Sequence, residues 1–557
     1  MGDKIWLDHY DKGIRKSLEP YPSKTLVDVV HETASLRPDH PALWFKGTTI
    51  SYGELVRLSD AFASALVGLG VEKGERVAIM MPNSPQYVIA ELGIWKAGAI
   101  VASINPLYTG RELEHMLKEC DAETLVVMTM FYDKVKALQD KTPIKRVIAA
   151  NIKTYLPTVL RWLFTLLKEK KEGHRITLQE GDYRFDQLLA AYAHIPPPAE
   201  KPKAEDPALI LFTGGTTGLA KAALGSHGGL VQSGLQINEW FKNAMGEWDE
   251  VFLTSLPLFH VFAAAGVQTV ALVSRSMMAL VPNPRDIDDV IETIEKTKAT
   301  FVPGVPTFYN ALLNHPKVKS NEADLTSIKL CISGASALLQ DTKERFEALT
   351  GSRIVEGYAL TESMMAIVCT PVDGVYKVGS VGMPVPDVEV RIVDADTGQE
   401  EMPNGEVGEI ILKAKQLMLE YWNRPEASAE TIRDGWLFTG DLGYLDEDGY
   451  LFIVDRKKDV IKPSGFQVWP REVEEVIASH PAVAEVGVAG VPDPRTTEAV
   501  KAWVVLEEGQ TLTKDELRAY CKEHLAGYKV PKHVEFRTEL PKSAVGKVLR
   551  RELAKEG

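Results

Sequence analysis

The sequence predicts an α/β protein of more than one domain, and three observations carry that prediction. Apolar stretches at helical spacing alternate with short apolar runs through the first half of the chain, and a second set of such units follows. After about residue 376 the pattern changes to short strands broken by Gly, Pro and Asp. A length of 557 residues exceeds what a single hydrophobic core supports, so the chain divides.

The elements follow in order. SYGELVRLSDAFASALVGLG (51–70) has apolar residues at helical spacing and closes at Gly68 and Gly70. ERVAIMMPNS (75–84) is a short apolar run ended by a Pro-Asn turn, the form of a buried strand in a parallel sheet. YVIAELGIWKAGAIVASINP (87–106) and HMLKECDAETLVVMT (115–129) repeat helix then strand. This rhythm predicts a parallel sheet with helices on both faces. The second set runs through EVFLTSLPLFH (250–260), KATFVPGVPTFYNALL (298–313) and SIKLCISGASAL (327–338). GSVGMPVPDVEVRIVDADTGQEEMPNGEVGEIILKA (379–414) predicts antiparallel hairpins or a small barrel. From about residue 459 a mixed pattern returns in REVEEVIASH (471–480), AEVGVAGVPD (484–493) and AVKAWVVLEEG (499–509). The charged run DRKKD (455–459) between these regions is the candidate linker.

Composition narrows the function. Hydrophobic residues at 45% and charged residues at 25% are those of a soluble globular protein. A net charge of -14 argues against nucleic acid as a partner, because phosphate backbones call for basic surfaces. Cys120, Cys331, Cys369 and Cys521 lie far apart without CxxC or CxxH spacing, which speaks against a zinc site or a disulfide framework and fits a reducing compartment. The N-terminus is charged throughout and lacks the apolar core of a signal peptide, and no apolar run is long enough to span a membrane. The expectation is a cytoplasmic enzyme.

LFTGGTTGLAKAALGSH (211–227) carries the first sign of chemistry. A Walker A loop needs GxxxxGK followed by Ser or Thr; read from Gly215, Ala220 stands where the Gly should be and Ala222 where the hydroxyl should be. The stretch also lacks a GxGxxG. Its small residues, its three hydroxyls and Lys221 nevertheless suit a triphosphate tail, with a flexible surface loop as the plain alternative.

Further stretches fall in a fixed order: CISGASALL (331–339), EGYALTES (356–363), GWLFTGDLGYLDEDGYLFIVDRKKDVIKPSGFQVWPREVEE (435–475) and PKSAVGKVLRREL (541–553). Together with TGGTTGLAK they resemble the adenylate-forming superfamily and, within it, the fatty acyl-CoA synthetases (long-chain fatty acid–CoA ligases). The resemblance covers nearly the whole chain. It implies a large N-terminal domain (1–454) of two helix-covered α/β sheets plus a small β-barrel, a hinge at 455–458 with Lys458 at the pivot, and a small mobile α+β C-terminal domain (459–557).

The resemblance also implies a reaction. The family activates a carboxylic acid with Mg-ATP as an acyl-adenylate, releasing pyrophosphate, and then transfers the acyl group to coenzyme A. Two anions meet in the first step, so charge neutralisation and positioning should dominate. By similarity, Thr213, Gly214, Gly215, Thr216, Thr217, Gly218 and Lys221 would hold the phosphates. Glu362 would hold Mg²⁺ together with Thr217, and Thr361 would contact phosphate. Tyr358 would lie against adenine, opposite a wall of Gly334, Ala335 and Ser336. Asp441 and Arg456 would take the ribose, and Lys547 would bridge the attacking carboxylate and the α-phosphate. His260 would position the acyl end without acid–base duty. After the hinge turns, Lys547 would leave, and Gly465 and Phe466 would line the pantetheine channel.

Each residue has a duller alternative: a turn for Asp441, a core ring for Tyr358, a surface charge for Arg456, a capped turn for Glu362, a solvated tail for Lys547. Two departures from the family pattern bear on the nucleotide. Ala222 follows Lys221 where Gly is usual, and Ala359 follows Tyr358 where Gly is usual. If either backbone needs a positive φ, Ala costs about 1 kcal/mol there.

The acid is read from weaker signals. Small residues after His260 (Ala263, Ala264, Ala265, Gly266) would leave room for an acyl chain, and GVPTFYNALL (304–313) is similar to the family's fatty-acid pocket segment. YLPTVLRWLFTLLKEKK (155–171) fits an amphipathic segment that meets a membrane or roofs an acyl tunnel, or else a core helix with a basic end. A medium- or long-chain fatty acid is the first expectation, and an aryl or arylpropenoic acid the second. A built-in carrier protein is not expected, because the chain stops just past Lys547. Peripheral contact with the inner face of the membrane and a homodimer are both compatible with the sequence.

Overall fold

The structure is a computed structural model, and it describes residues 4–213, 220–463, 468–543 and 547–555. Gly214, Gly215, Thr216, Thr217 and Gly218 of the phosphate loop, and Gly465 and Phe466 of the proposed pantetheine channel, lie outside the described residues.

The first half folds as its alternation predicts. One sheet has the order Glu420–Tyr421, Ala222–Ser226, Pro207–Phe212, Ile100–Ser103, Arg76–Met80, Thr124–Met128, Arg146–Ala150, Tyr183–Arg184. It is parallel except where Ala222–Ser226 runs antiparallel to both neighbours. The helix Pro85–Lys96 is buried along its whole length. It is tied to both layers: Trp95 Nε1 donates to Ala208 O at 2.8 Å, and Tyr87 Oη donates to Leu258 O at 3.0 Å. Burial on every face explains its near-continuous apolar sequence.

The second sheet contains the parallel strands Pro41–Phe45, Met277–Leu280, Val251–Thr254, Phe301–Gly304, Leu330–Ser333 and Arg353–Tyr358. The antiparallel strands expected after residue 376 do not stand apart from it. Val368–Cys369 pairs with Arg353–Tyr358, and the ladder continues through Ser380–Pro384, Leu451–Arg456, Trp436–Leu445, Gly408–Lys413 and Glu389–Val393. The C-terminal unit has its own sheet, Val483–Asp493, Thr497–Leu506 and His533–Arg537. Its apolar clusters, around Val473, Ile477 and Leu517 and around Trp503, Leu540 and Leu553, contain no residue of the large cores.

One expectation is corrected and one alternative is set aside. The run 455–459 is not wholly a solvated linker. Asp455 and Arg456 complete the strand Leu451–Arg456, and Asp455 is buried, with Arg550 donating to its Oδ1 at 2.7 Å and Arg471 N to its Oδ2 at 2.7 Å. Only Lys457 to Asp459 form a turn. The segment 155–171 is not a core helix either: the helix Thr158–Leu167 has no buried residue, and Trp162 and Leu166 are 66% and 75% exposed.

Candidate active site

The parallel strands of the second sheet end together, and ligand sites in open α/β sheets form beyond such carboxyl ends. Leu330–Ser333 leads into Gly334, Ala335 and Ser336, while its neighbour Arg353–Tyr358 ends on Tyr358. Gly334 is needed for close approach. A Cβ there would stand 3.1 Å from the Phe262 ring and 3.3 Å from Gly357 O. Ala335 has a φ of 68°, a left-handed conformation that costs an Ala about 1 kcal/mol.

Tyr358, Asp441 and Arg456 form one cluster. Tyr358 Oη donates to Asp441 Oδ2 at 2.8 Å, and Arg456 Nε lies 3.0 Å from Asp441 Oδ1. Strand register does the positioning, because Asp441 pairs directly with Arg456 across the antiparallel ladder. Gly440, at a φ of 70°, lets the strand bend before Asp441. Glu409 fixes that bend: its Oε1 accepts from Gly440 N at 3.1 Å and its Oε2 from Lys457 Nζ at 3.1 Å. Asp441 therefore sits on a ten-residue strand and serves side chains, which sets aside the turn alternative. Each of its oxygens accepts one protein donor, which leaves a lone pair on each for a diol.

Lys547 lies within electrostatic reach of this cluster. Burial, together with the neighbouring Arg456, pushes its ammonium down to about 8, against the pull of Asp441. Its segment is pinned locally. Lys547 O accepts from Ser543 N at 2.8 Å, and Arg550 donates to Asp455 and Glu474.

A second cluster lies around Glu362. Tyr421 Oη donates to Glu362 Oε1 at 2.6 Å, and Lys221 Nζ stands 4.3 Å from the centre of the Tyr421 ring. Burial and the Glu362 carboxylate push the phenol far above its ordinary value, so Tyr421 remains a donor. Thr213 N donates to Lys221 O at 2.9 Å and Lys221 N to Thr213 Oγ1 at 3.1 Å, which closes the hairpin at the base of the phosphate loop. Thr361 is half-exposed beside Glu362, and Met364 and Met365 just after it have φ of 46° and 62°. Among the described residues, no group of three or more His, Cys, Asp or Glu side chains could hold a metal. Glu362 with nucleotide oxygens is a donor set that fits Mg²⁺, a hard cation that retains water and phosphate ligands.

His260 ends the turn before the π-helix Phe262–Gln268, and burial pushes it down to about 4, so it is neutral at pH 7. The small residues after it open less space than expected. A Cβ on Gly266 would meet Met365 Cε at 2.9 Å, so that gap is occupied by a flexible side chain. A surface cavity of about 810 Å³ is lined by Glu19, Tyr21, Gly229 and Lys415 and by none of the candidate residues.

Neither departure from the family pattern is strained. Ala222 starts a regular strand paired with Phe212, and neither Ala222 nor Ala359 has a positive φ. Sequence reasoning missed Tyr421, Glu409 and the Asp455–Arg550 pair. Tyr421 stands in LEYWN, 59 residues after Glu362, and no spacing rule connects the two.

Residues 30–422 match the AMP-binding enzyme family and 472–547 the AMP-binding enzyme C-terminal domain. A long-chain-fatty-acid–CoA ligase of Escherichia coli O6:H1 is 39% identical over 99% of this chain and 98% of its own. One from Bacillus subtilis is 38% identical over 100% and 98%. The solved structure of the anthranilate CoA ligase AuaEII with anthranoyl-AMP superposes with a TM-score of 0.84 at 27% identity, covering 96% of this chain and 97% of that one. With a family model spanning most of its length and relatives this similar from end to end, the chain belongs to the AMP-binding enzyme family.

Proposed function

We propose that this protein is an AMP-forming fatty acid–CoA ligase. It joins a medium- or long-chain fatty acid to AMP with release of pyrophosphate, then passes the acyl group to the thiol of coenzyme A. The observation that carries the reading is the cluster of Tyr358, Asp441 and Arg456, with Lys547 of the C-terminal unit buried within electrostatic reach of Arg456 and Asp441.

In adenylation the fatty carboxylate attacks the α-phosphate, and pyrophosphate departs. Asp441 accepts the ribose hydroxyls with its remaining lone pairs, while Tyr358 and Arg456 hold the carboxylate still. The loop bounded by Thr213 and Lys221 takes the β- and γ-phosphates, and Glu362 would hold Mg²⁺, which would supply charge neutralisation. Lys547 contributes a cation between the two reacting anions, where preorganised charge acts most strongly. His260, neutral, orients the acyl carboxylate. Coenzyme A then needs the space of Lys547. We place the pivot at Lys458, in the exposed turn after the strand Leu451–Arg456, and assign Gly465 and Phe466 to the thiol channel.

The exposed helix Thr158–Leu167 suits a lipid surface. Val159, Trp162, Leu163, Leu166 and Leu167 are exposed, and Lys168, Arg161 and Arg175 lie in the same segment of an otherwise acidic chain. Among the described residues, no helix is long and apolar enough to cross a membrane. We therefore read the protein as cytoplasmic and peripheral, docked through this helix, where its substrates partition.

The deciding experiment measures AMP release with Mg-ATP over acids from acetate to stearate, plus benzoate and coumarate, with and without coenzyme A. Turnover that requires coenzyme A and peaks at medium or long chains is expected. Turnover with aromatic acids alone replaces the substrate by an aryl or arylpropenoic acid, the alternative that the fold shared with an anthranilate CoA ligase keeps open. No turnover with any acid refutes the ligase.

A further inference from the structure

We propose that Tyr421 is a positioning residue of adenylation, one side chain that sets the spacing between the carboxylate Glu362 and the ammonium of Lys221; this rests on the assignment of those two residues to Mg²⁺ and phosphate given above. The hydroxyl donates to Glu362 Oε1 at 2.6 Å, while the ring face carries Lys221 Nζ at 4.3 Å from its centre. A cation over an aromatic face is attracted by the ring quadrupole, and the attraction grows on desolvation. Tyr joins both roles in one side chain. Phe lacks the donor, and Ser or Thr lacks the face.

The surroundings hold Tyr421 rigidly. It is 3% exposed and pairs with Ala223 across the edge of the first sheet. Leu419 N donates to Leu224 O at 2.7 Å and Trp422 N to Ala222 O at 2.8 Å, so the residues on either side are bonded to the hairpin that carries Lys221. Met418 N donates to Glu362 O at 2.9 Å, which ties the residues leading into this strand to the backbone of Glu362. Tyr421 N donates to Ser428 Oγ at 2.9 Å, and Arg424 pairs with Glu119 on a helix of the first layer. The strand Glu420–Tyr421 thus bridges the first sheet, whose edge hairpin carries the lysine, and the segment between the second-sheet strands Arg353–Tyr358 and Val368–Cys369, which supplies the carboxylate. Without it, these two charges belong to different layers and share no direct restraint among the described contacts.

The consequence is specific. Glu362 without its donor is free to turn its carboxylate, so Mg²⁺-dependent nucleotide binding weakens. Lys221 without the ring loses its bearing toward the phosphates, so nucleotide binding weakens even when Mg²⁺ is saturating.

The test uses the full chain and the variants Tyr421→Phe and Tyr421→Leu. ATP affinity is measured by calorimetry over a series of Mg²⁺ concentrations, beside pyrophosphate release with the best acid. Y421F should raise the Mg²⁺ concentration needed for half-maximal binding about tenfold, the worth of one hydrogen bond to a charged group, with ATP affinity at saturating Mg²⁺ within about twofold of the parent because the ring remains. Y421L should weaken both. In a Glu362→Gln background the Mg²⁺ effect of Y421F should vanish, which a loss of packing alone would not produce. Unchanged Mg²⁺ dependence in Y421F, or an effect that persists undiminished in E362Q, overturns the proposal. Calorimetry keeps the two readings apart. A parent that binds Mg-ATP yet adenylates no acid refutes the ligase, while the variants still decide the role of Tyr421.

Discussion

Lys547 should impose a falling alkaline limb on adenylation and on no later step. The perturbation is pH, and the magnitude follows from the site. Burial and Arg456 hold the ammonium down to about 8, well below an ordinary lysine. In the proposed role the charged form bridges two anions, so activity should be lost as pH rises through that value. With a pKa near 8, roughly nine-tenths of the lysine is charged at pH 7 and roughly one-tenth at pH 9, so kcat/KM for ATP should fall about tenfold across that interval. Bound nucleotide phosphates favour the ammonium, so the limb in kcat should lie higher. The assay is pyrophosphate release for the first half-reaction, and thioester formation from preformed acyl-AMP for the second. In the second, ionisation of the coenzyme A thiol should raise the rate over the same range. Lys547→Arg, always charged, should lose the limb at whatever activity it retains. A profile for kcat/KM that stays flat beyond pH 10, or a limb that survives in K547R, refutes the argument.

Further outcomes follow from named contacts. Asp441→Asn leaves one acceptor oxygen for the donors Tyr358 and Arg456, so an unmatched buried donor should cost about 1–3 kcal/mol in a urea titration. The same variant should raise KM for ATP at least about tenfold, since a neutral amide binds a diol less well than a carboxylate. Arg550→Ala strips the buried Asp455 and the Glu474 carboxylate of their partner, so the C-terminal unit should lose about 3–5 kcal/mol of local stability, seen as earlier proteolysis there. Trp162→Glu with Leu166→Glu should leave the melting temperature nearly unchanged, because both residues are exposed, while abolishing sedimentation with anionic vesicles.

Much of the fold was legible because burial on both faces leaves a plain record. The helix Pro85–Lys96 and the parallel strands around it are apolar almost throughout, and no other environment selects such runs. Less was legible where one element serves two neighbours. Val368–Cys369 is only two residues long, yet it joins the antiparallel strands to the second sheet, and nothing in its composition announces that role. The site divides in the same way. Asp441 and Arg456 lie in one motif because adjacent strands of a ladder keep them in register. Tyr421 depends on a contact between layers, so its partners are remote in sequence and no local pattern records them. The fear of strain at Ala222 and Ala359 failed for a related reason: the left-handed backbone falls on Ala335, Met364 and Met365 instead.

The join between the two units gives physical content to the proposed rotation about Lys458. The apolar clusters of the C-terminal unit share no residue with the large cores, so a turn at Lys458 separates no continuous core. Among the contacts it would break are short polar ones. Arg471 donates to Ile453 O at 2.9 Å and, through its backbone, to Asp455 Oδ2, while Arg550 donates to Asp455 Oδ1. Asp455 precedes the pivot, whereas Arg550 and Glu474 both follow it. Rotation would therefore part Arg550 from Asp455 and leave it paired with Glu474, so the arginine never becomes a lone buried charge. Asp455 is the group that gains solvent as Arg550 departs, and a carboxylate that regains water loses little by the exchange. A two-partner arginine is thus suited to a joint that opens in the proposed rotation. Asp455→Asn should weaken the docked state selectively, slowing pyrophosphate release while leaving thioester formation from acyl-AMP at the parent rate. Equal slowing of both half-reactions would show that Asp455 supports the fold and not the joint.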